Sequence, residues 1–249
     1  MKVIGVIPAR YNSSRFPGKP LADICGKPMV WWVYQQAKKV KELDEVYVAT
    51  DDDRIKDVCH SFGIKVVMTS TECTTHINRL KEFSDQVPAD LYVCICGDEP
   101  SISHTVISSV IPPSIDMNNL FVGALRRAFT NPVEVIDPSN IKISTNEHGE
   151  CIYLSRSPIP YPYKTINFTY YKIVGVECYN KQALDYFDSK EAGYLERIED
   201  ITLLRFIENR IPITFTLVET DSLSVDTPKD LEKVREIIGL QMQQKNHEL

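Results

Sequence analysis

The chain lacks a long apolar run. Of its 249 residues, 43% are hydrophobic, yet no stretch approaches the roughly 18 consecutive apolar residues a membrane span needs. The apolar run after Met1 is too short for a signal peptide. An excess of positive charge is also missing: 28 Lys and Arg against 34 Asp and Glu leave a formal net charge of -6. Nucleic-acid binding is therefore disfavoured as the main role, because phosphate contacts need clustered Lys and Arg. An anionic small molecule needs only a few basic residues in one cleft. The seven cysteines include no C-x-x-C pair, and His60, His76, His104, His148 and His247 show no ligand spacing. Cys94 and Cys96 would share one face of a strand. Small thiols in a reducing cytoplasm are expected, in place of a disulfide framework or a zinc centre. The G-x-x-x-x-G-K-[ST] phosphate loop is absent, and there is no internal repeat or low-complexity linker.

What is present reads as an ordinary globular chain with a sizeable core, long enough for one α/β domain or one and a half. Residues 2–7 form a β-branched apolar run, the pattern of a buried strand. Strands are likewise expected at 45–50, 65–68 and 91–96, and helices at 28–41, 53–62 and 77–86. This strand–helix alternation predicts parallel strands with crossover helices, a doubly wound sheet. Ligands then sit outside the carboxyl ends of the strands, where the loops 8–20, 50–53 and 97–100 fall. The second half is less regular. Antiparallel strands are expected near 135–136, 141–143 and 151–154, an extended Pro-rich loop at 156–163, and strands at 172–178 and 213–218. Helices are expected at 181–187 and 199–209, and a last one capped by Thr227 with Pro228 at its first position. A polar tail covers 241–249.

Three segments carry chemistry. In the first, Pro8-Ala9-Arg10-Tyr11-Asn12-Ser13-Ser14-Arg15-Phe16-Pro17-Gly18-Lys19-Pro20, three cations follow directly on a strand. A triphosphate needs several cations and backbone donors converging on one point. Arg10 and Arg15 can make forked contacts to phosphate, and Lys19 supplies a compact point charge; a solvated basic loop is the alternative. The second, Cys96-Gly97-Asp98-Glu99-Pro100, puts a carboxylate at the sheet edge. Magnesium favours one or two carboxylates with phosphate oxygens and water, although a lone Asp98 could equally cap a turn. In the third, Ser224-Val225-Asp226-Thr227-Pro228-Lys229-Asp230, Asp226 could simply favour the positive end of the following helix. Paired with Asp98, it would complete a two-carboxylate metal site.

With these motifs in order, the chain resembles the CMP-sugar synthetase family, in particular the 3-deoxy-manno-octulosonate (Kdo) cytidylyltransferases. The matching stretches are Ile7 to Pro20 with Pro28-Met29, Val48-Ala49-Thr50-Asp51-Asp52, Gly97-Asp98-Glu99-Pro100, Leu154-Ser155-Arg156-Ser157-Pro158-Ile159-Pro160 and Val225 to Leu231. The resemblance implies a Rossmann-like nucleotidyltransferase fold, a mainly parallel sheet with a smaller antiparallel insertion. It implies one domain over 1–240, with a subregion at about 125–180 that carries dimer contacts and acceptor binding. It implies CTP as donor, Mg2+ as cofactor, an acidic sugar as acceptor, pyrophosphate as product, and a homodimer. By resemblance Pro8, Ala9, Arg10, Ser13, Arg15, Lys19, Arg79 and Asp98 are CTP-binding. Arg10, Lys19 and Asp98 act in catalysis, and Asp98 and Asp226 hold the metal. Arg79, Arg156, Glu177 and Glu196 are candidates for the acceptor.

The departures from the family pattern concern the acceptor. The usual Ser-Gly-Thr-Asp-Arg stands here as Thr75-His76-Ile77-Asn78-Arg79, and the usual Gln before Gly-Asp-Glu-Pro is Cys96. Ile173 and Glu177 fall where a sugar-contacting His and Tyr usually stand. Glu177 could take an amino group, or could form a salt bridge to Lys172 or Arg197. The nucleotide and metal end is kept while the acceptor end is rewritten. That leaves open Kdo or a near relative, a different acid such as a nonulosonate or phosphonate, or a non-catalytic nucleotide-binding protein on the same fold.

Overall fold

In the computed structural model, which describes residues 1–12 and 16–247, the first apolar run becomes β1 (Val3–Ala9), buried on both faces. Val3, Ile7 and Ala9 enter one core layer, and Ile4 and Val6 enter the other, the period-two alternation of a strand covered on both sides. The chain then forms the hairpin β2 (Asp23–Ile24) and β3 (Lys27–Pro28), followed by α1 (Met29–Ala37), β4 (Glu45–Thr50), α2 (Asp53–Ser61) and β5 (Val66–Met68). Next come α3 (His76–Gln86), β6 (Leu91–Ile95), α4 (His104–Ser108) and β7 (Val122–Ala128). The antiparallel pair β8 (Lys142–Thr145) and β9 (Cys151–Ser155) leads to β10 (Tyr171–Asn180) and α5 (Lys181–Asp188). The chain closes with α6 (Tyr194–Glu199), α7 (Leu204–Glu208), β11 (Thr214–Leu217) and α8 (Pro228–His247).

The main sheet runs in the order β11-β7-β10-β6-β1-β4-β5. The pairings β1–β4, β1–β6, β4–β5 and β11–β7 are parallel, and β10 is antiparallel to both β6 and β7. Among the described residues β10 thus opposes the other strands on this path, and β8–β9 extend it as the small antiparallel insertion. The doubly wound expectation for the first half holds, because each crossover helix covers one face of the parallel strands.

A third, smaller core decides where the site lies. Ile24 and Met29 of the hairpin region bury against Val225, Leu231, Val234 and Ile238 from the last segment, with Phe16 packed alongside. This apolar contact ties α8 to the loop after β1. Thr227 and Asp230 cap α8 reciprocally: Thr227 N donates to Asp230 Oδ2 at 3.0 Å, and Asp230 N to Thr227 Oγ1 at 3.4 Å.

Several expected elements change. Where a strand is expected at 135–136, the chain instead forms a 3-10 turn, Pro132–Val135, opened by a proline and capped by Asn131. The helix expected at 199–209 is shorter, α7 alone; α6 precedes it and ends where Asp200 adopts a left-handed backbone (φ 51). The expected polar tail is mostly the end of α8, which continues to His247. β7 was not foreseen, since Arg126 and Arg127 interrupt its apolar pattern.

Candidate active site

β1, β4 and β6 end at the same edge of the sheet because they run in parallel. A cleft of about 360 Å³ opens there, lined by Pro8, Ala9, Arg10 and Lys19 from the first loop, Gly97 and Asp98 after β6, and Asp226 before α8. The N-terminal turn of α3 adds Thr75, His76 and Arg79 to the wall.

Lys19 is placed by local geometry. Gly18 has φ 71, and an added Cβ there would meet the Tyr11 ring at 3.2 Å, so the loop needs glycine at this turn. Gly18 N donates to Tyr11 O at 2.8 Å, closing the loop. The Lys19 ammonium then lies 2.8 Å from Asp98 Oδ2 and 3.7 Å from Asp226 Oδ1. The two acids are 128 positions apart in sequence (226 − 98), and Val225 N donates to Asp98 O at 2.8 Å, stitching the two segments directly. All three side chains are partly shielded from solvent, which strengthens their mutual attraction over that of an exposed pair.

The pair of carboxylates sharing one cation also fits a divalent ion. Two hard oxygen donors converging on one positive charge at the mouth of a cleft are the donor set magnesium takes, with the remaining positions left to phosphate and water. Asp98 and Asp226 are the residues that could hold it.

Glu99, next to Asp98, faces inward. Its Oε1 accepts from Gly175 N at 2.8 Å. A Cβ on Gly175 would come within 2.7 Å of that oxygen and 2.8 Å of Cys96 Cβ. Burial, followed by the neighbouring Asp98, raises the Glu99 pKa above the usual carboxylate range. The sequence reading left this residue without a role. It fixes the exit of β6 against β10 and so aims Asp98. Cys96 lines the cleft, but burial and then Asp98 push its thiol well above its ordinary value, so it stays protonated.

The remaining candidates are distributed differently from expectation. Ser13 and Arg15 lie outside the described residues. Arg10 is exposed at the cleft edge. Arg79 lines the cleft but is 3% exposed; its guanidinium donates to Asp51 Oδ2 at 2.7 Å and to Thr69 Oγ1. Its charge is therefore already matched, and it braces the loops after β4 and β5. Arg156 is not on the cleft wall. It donates to the carbonyls of Pro138 and Asp200, both at 2.8 Å, and to that of Glu199, securing the turn that carries Asp200 and Thr202 into the cleft. Glu196 is likewise directed elsewhere: it is buried in a two-pronged pair with Arg205, each contact 2.7 Å. The acceptor expectation for Arg156 and Glu196 is corrected on these grounds.

Glu177 pairs with neither Lys172 nor Arg197. Its Oε2 lies 2.8 Å from His76 Nε2 and accepts from Tyr179 OH at 2.6 Å. Lys172 is bonded to Glu134 and Asn140. Burial of Glu177 alone would raise its pKa, but His76 and the Tyr179 hydroxyl reverse that and hold it below the usual range. Burial works against a charge on His76 too, and Glu177 overcomes it, so the imidazole pKa is raised. In the sequence His76 shows only a departure from the family pattern and no ligand spacing, so its pairing with Glu177 is set by tertiary packing. Of the cysteines, Cys59, Cys94 and Cys178 are buried, Cys25 is exposed, and all seven are free.

A parallel-sheet α/β fold whose strand-end cleft joins cationic loops to paired carboxylates defines a nucleotide-handling enzyme class. The Cytidylyltransferase family matches residues 4–213, and the chain belongs to that family. It is similar to a 3-deoxy-manno-octulosonate cytidylyltransferase of Solibacter usitatus, 38% identical over 234 residues covering 94% of this chain and 93% of the relative. It is also similar to an 8-amino-3,8-dideoxy-manno-octulosonate cytidylyltransferase of Shewanella baltica, 39% identical over 249 residues covering 96% of this chain and all of the relative (100%). A solved structure of CMP:2-keto-3-deoxy-manno-octonic acid synthetase complexed with CTP superimposes with a TM-score of 0.91 at 38% identity, covering 97% of this chain and 100% of that one. Among the described residues no helix is long and apolar enough to cross a membrane.

Proposed function

We propose that the protein transfers CMP from CTP to an acidic eight-carbon sugar of the 3-deoxy-manno-octulosonate kind, releasing pyrophosphate. The observation that carries this reading is Lys19 reaching both Asp98 and Asp226 at the strand-end cleft. Arg10 and Lys19 would offset the charge on the β- and γ-phosphates, a task the family resemblance extends to Ser13 and Arg15. Magnesium held by Asp98 and Asp226 would supply charge neutralisation at the phosphates. Pro8, Ala9 and Gly97 line the cleft beside them. An acceptor hydroxyl attacks the α-phosphorus in line, its bond to phosphorus forms as that to the pyrophosphate oxygen breaks, and the hydroxyl proton goes to solvent. Positioning and charge compensation then account for most of the rate.

The family resemblance also carries a homodimer. Exposed apolar side chains in and beside the insertion, among them Ile136, Tyr161, Tyr163 and Ile166, offer a face for it, and the mass in solution tests this. A cytoplasmic location agrees with seven free cysteines.

The decisive assay is pyrophosphate release with CTP and magnesium over 3-deoxy-manno-octulosonate, its 8-amino analogue, a nonulosonate and a phosphonate. Turnover on an octulosonate is the expected outcome, and turnover on none of the acids refutes the reading. Asp98→Asn should abolish release while the fold is retained; a wild-type rate would remove Asp98 from the mechanism.

A further inference from the structure

His76 and Glu177 are both departures from the family's sequence pattern, and the structure brings them into contact across 101 residues. An acidic acceptor needs a cation in the cleft besides those on the polyphosphate. Among the described residues, the cleft-lining side chains that can be positive are Arg10, Lys19, His76 and Arg79. Lys19 is held by Asp98 and Asp226, Arg79 is matched by Asp51, and Arg10 begins the loop assigned above to phosphate. His76 is paired too, with Glu177, but through Nε2 alone, so its second ring nitrogen is not taken up by that pair.

We propose that His76, held in place by Glu177, binds the carboxylate of the acceptor through its Nδ1–H and so sets which acids this enzyme accepts. The inference rests on the cytidylyl-transfer reading. Glu177 occupies Nε2, which leaves Nδ1 as the second donor of an imidazolium. Tyr179 OH donates to the same carboxylate oxygen at 2.6 Å and fixes its orientation. His76 lines the cleft with 29% of its side chain exposed, whereas Glu177 is 9% exposed and does not line it. A ligand therefore meets the positive member of the pair, which favours a carboxylate over an amine. The raised imidazole pKa agrees with this. The first turn of α3, capped by Thr75 accepting from Asn78 N, presents the helix's positive end, which favours a bound carboxylate while opposing charge on the ring itself. Other charges act on the ring as well: Asp98 supports its protonation and Arg10 opposes it.

The test combines binding and kinetics on the full chain. Protein labelled with 15N-histidine is titrated with 3-deoxy-manno-octulosonate, and the His76 ring resonances are followed. In parallel, His76→Gln and Glu177→Gln are assayed with CTP and magnesium. The expected result is a ring-nitrogen shift on adding the acid, and a Michaelis constant for the acid raised about ten- to a hundredfold in both variants, the scale of one charged hydrogen bond. The constant for CTP should change less than about twofold, since neither residue is assigned to phosphate. An unchanged acid constant in His76→Gln overturns the proposal while cytidylyl transfer stands. A ring shift without turnover on any acid sinks the cytidylyl-transfer reading and leaves the carboxylate site standing. The proposal also fails if an amine-bearing acid is strongly preferred and Glu177→Gln alone removes that preference. It fails as well if the purified protein retains stoichiometric zinc, because His76, Cys94 and Glu177 cluster closely enough to hold a metal.

Discussion

Replacing Glu196 by alanine separates a structural carboxylate from a binding one. The side chains of Glu196 and Arg205 are 7% and 8% exposed, and both oxygens of the acid are engaged by the guanidinium. Removing the acid strands a positive group beside the Phe187 ring, 3.7 Å from its centroid. The carbonyls of Phe187 and Lys190, at 3.1 and 2.8 Å, compensate only in part. Breaking a buried pair from one side costs about 3–5 kcal/mol. At about 2–4 °C per kcal/mol for a chain of this size, the melting temperature should fall by roughly 6–20 °C. Thermal denaturation followed by circular dichroism gives the shift, and steady-state assays on the surviving folded fraction give the acceptor constant, which should stay near wild type. A melting temperature within about 2 °C of wild type together with a raised acceptor constant would refute the structural assignment of Glu196.

Gly175→Ala forces a methyl group against Glu99 and Cys96; overpacking of this kind costs about 1–3 kcal/mol, and calorimetry should show a clear drop in Tm together with reduced turnover as Asp98 loses its aim. Lys19→Met should raise the Michaelis constant for CTP about tenfold or more, and unchanged CTP kinetics would break the triphosphate assignment. The His76–Glu177 pair should leave a mark on the pH dependence of stability. Glu177, with its pKa lowered, contributes fully above about pH 4.3, and this is lost as pH falls through its folded value. His76, with its pKa raised, contributes fully below about pH 6.5, and this is lost as pH rises through its folded value. Denaturant titrations should therefore show the stability gap between wild type and His76→Gln at its widest between those limits; a gap independent of pH would mean the pair is not ionic.

The first hundred residues were the legible part of the fold. β1, β4 and β6 are nearly unbroken apolar runs because parallel strands are covered on both faces, and their positions follow from composition alone. β7 was not legible, since Arg126 and Arg127 sit within it, and Arg126 is accommodated by partners remote in sequence. Arg126 stacks on Tyr171 and donates to Thr145. The same distinction governs the site. Lys19 and Asp98 could be named from strand-exit loops and Asp226 from the segment opening the last helix, whose chemistry is local to each segment. The destinations of Arg79, Arg156, Glu177 and Glu196 depended on long-range neighbours: Asp51, the Glu199–Asp200 turn, His76 and Arg205. A charged side chain announces its sign in the sequence, whereas the counter-charge that decides its task is set by tertiary packing.

Asp226 reaches the cleft only because α8 is bound down by the small core it shares with the β2–β3 hairpin. The last strand of the sheet ends at Leu217, so Asp226 and the helix that anchors it lie wholly outside the sheet. A chain cut before α8 would keep every strand and lose the anchor that brings Asp226 to Lys19.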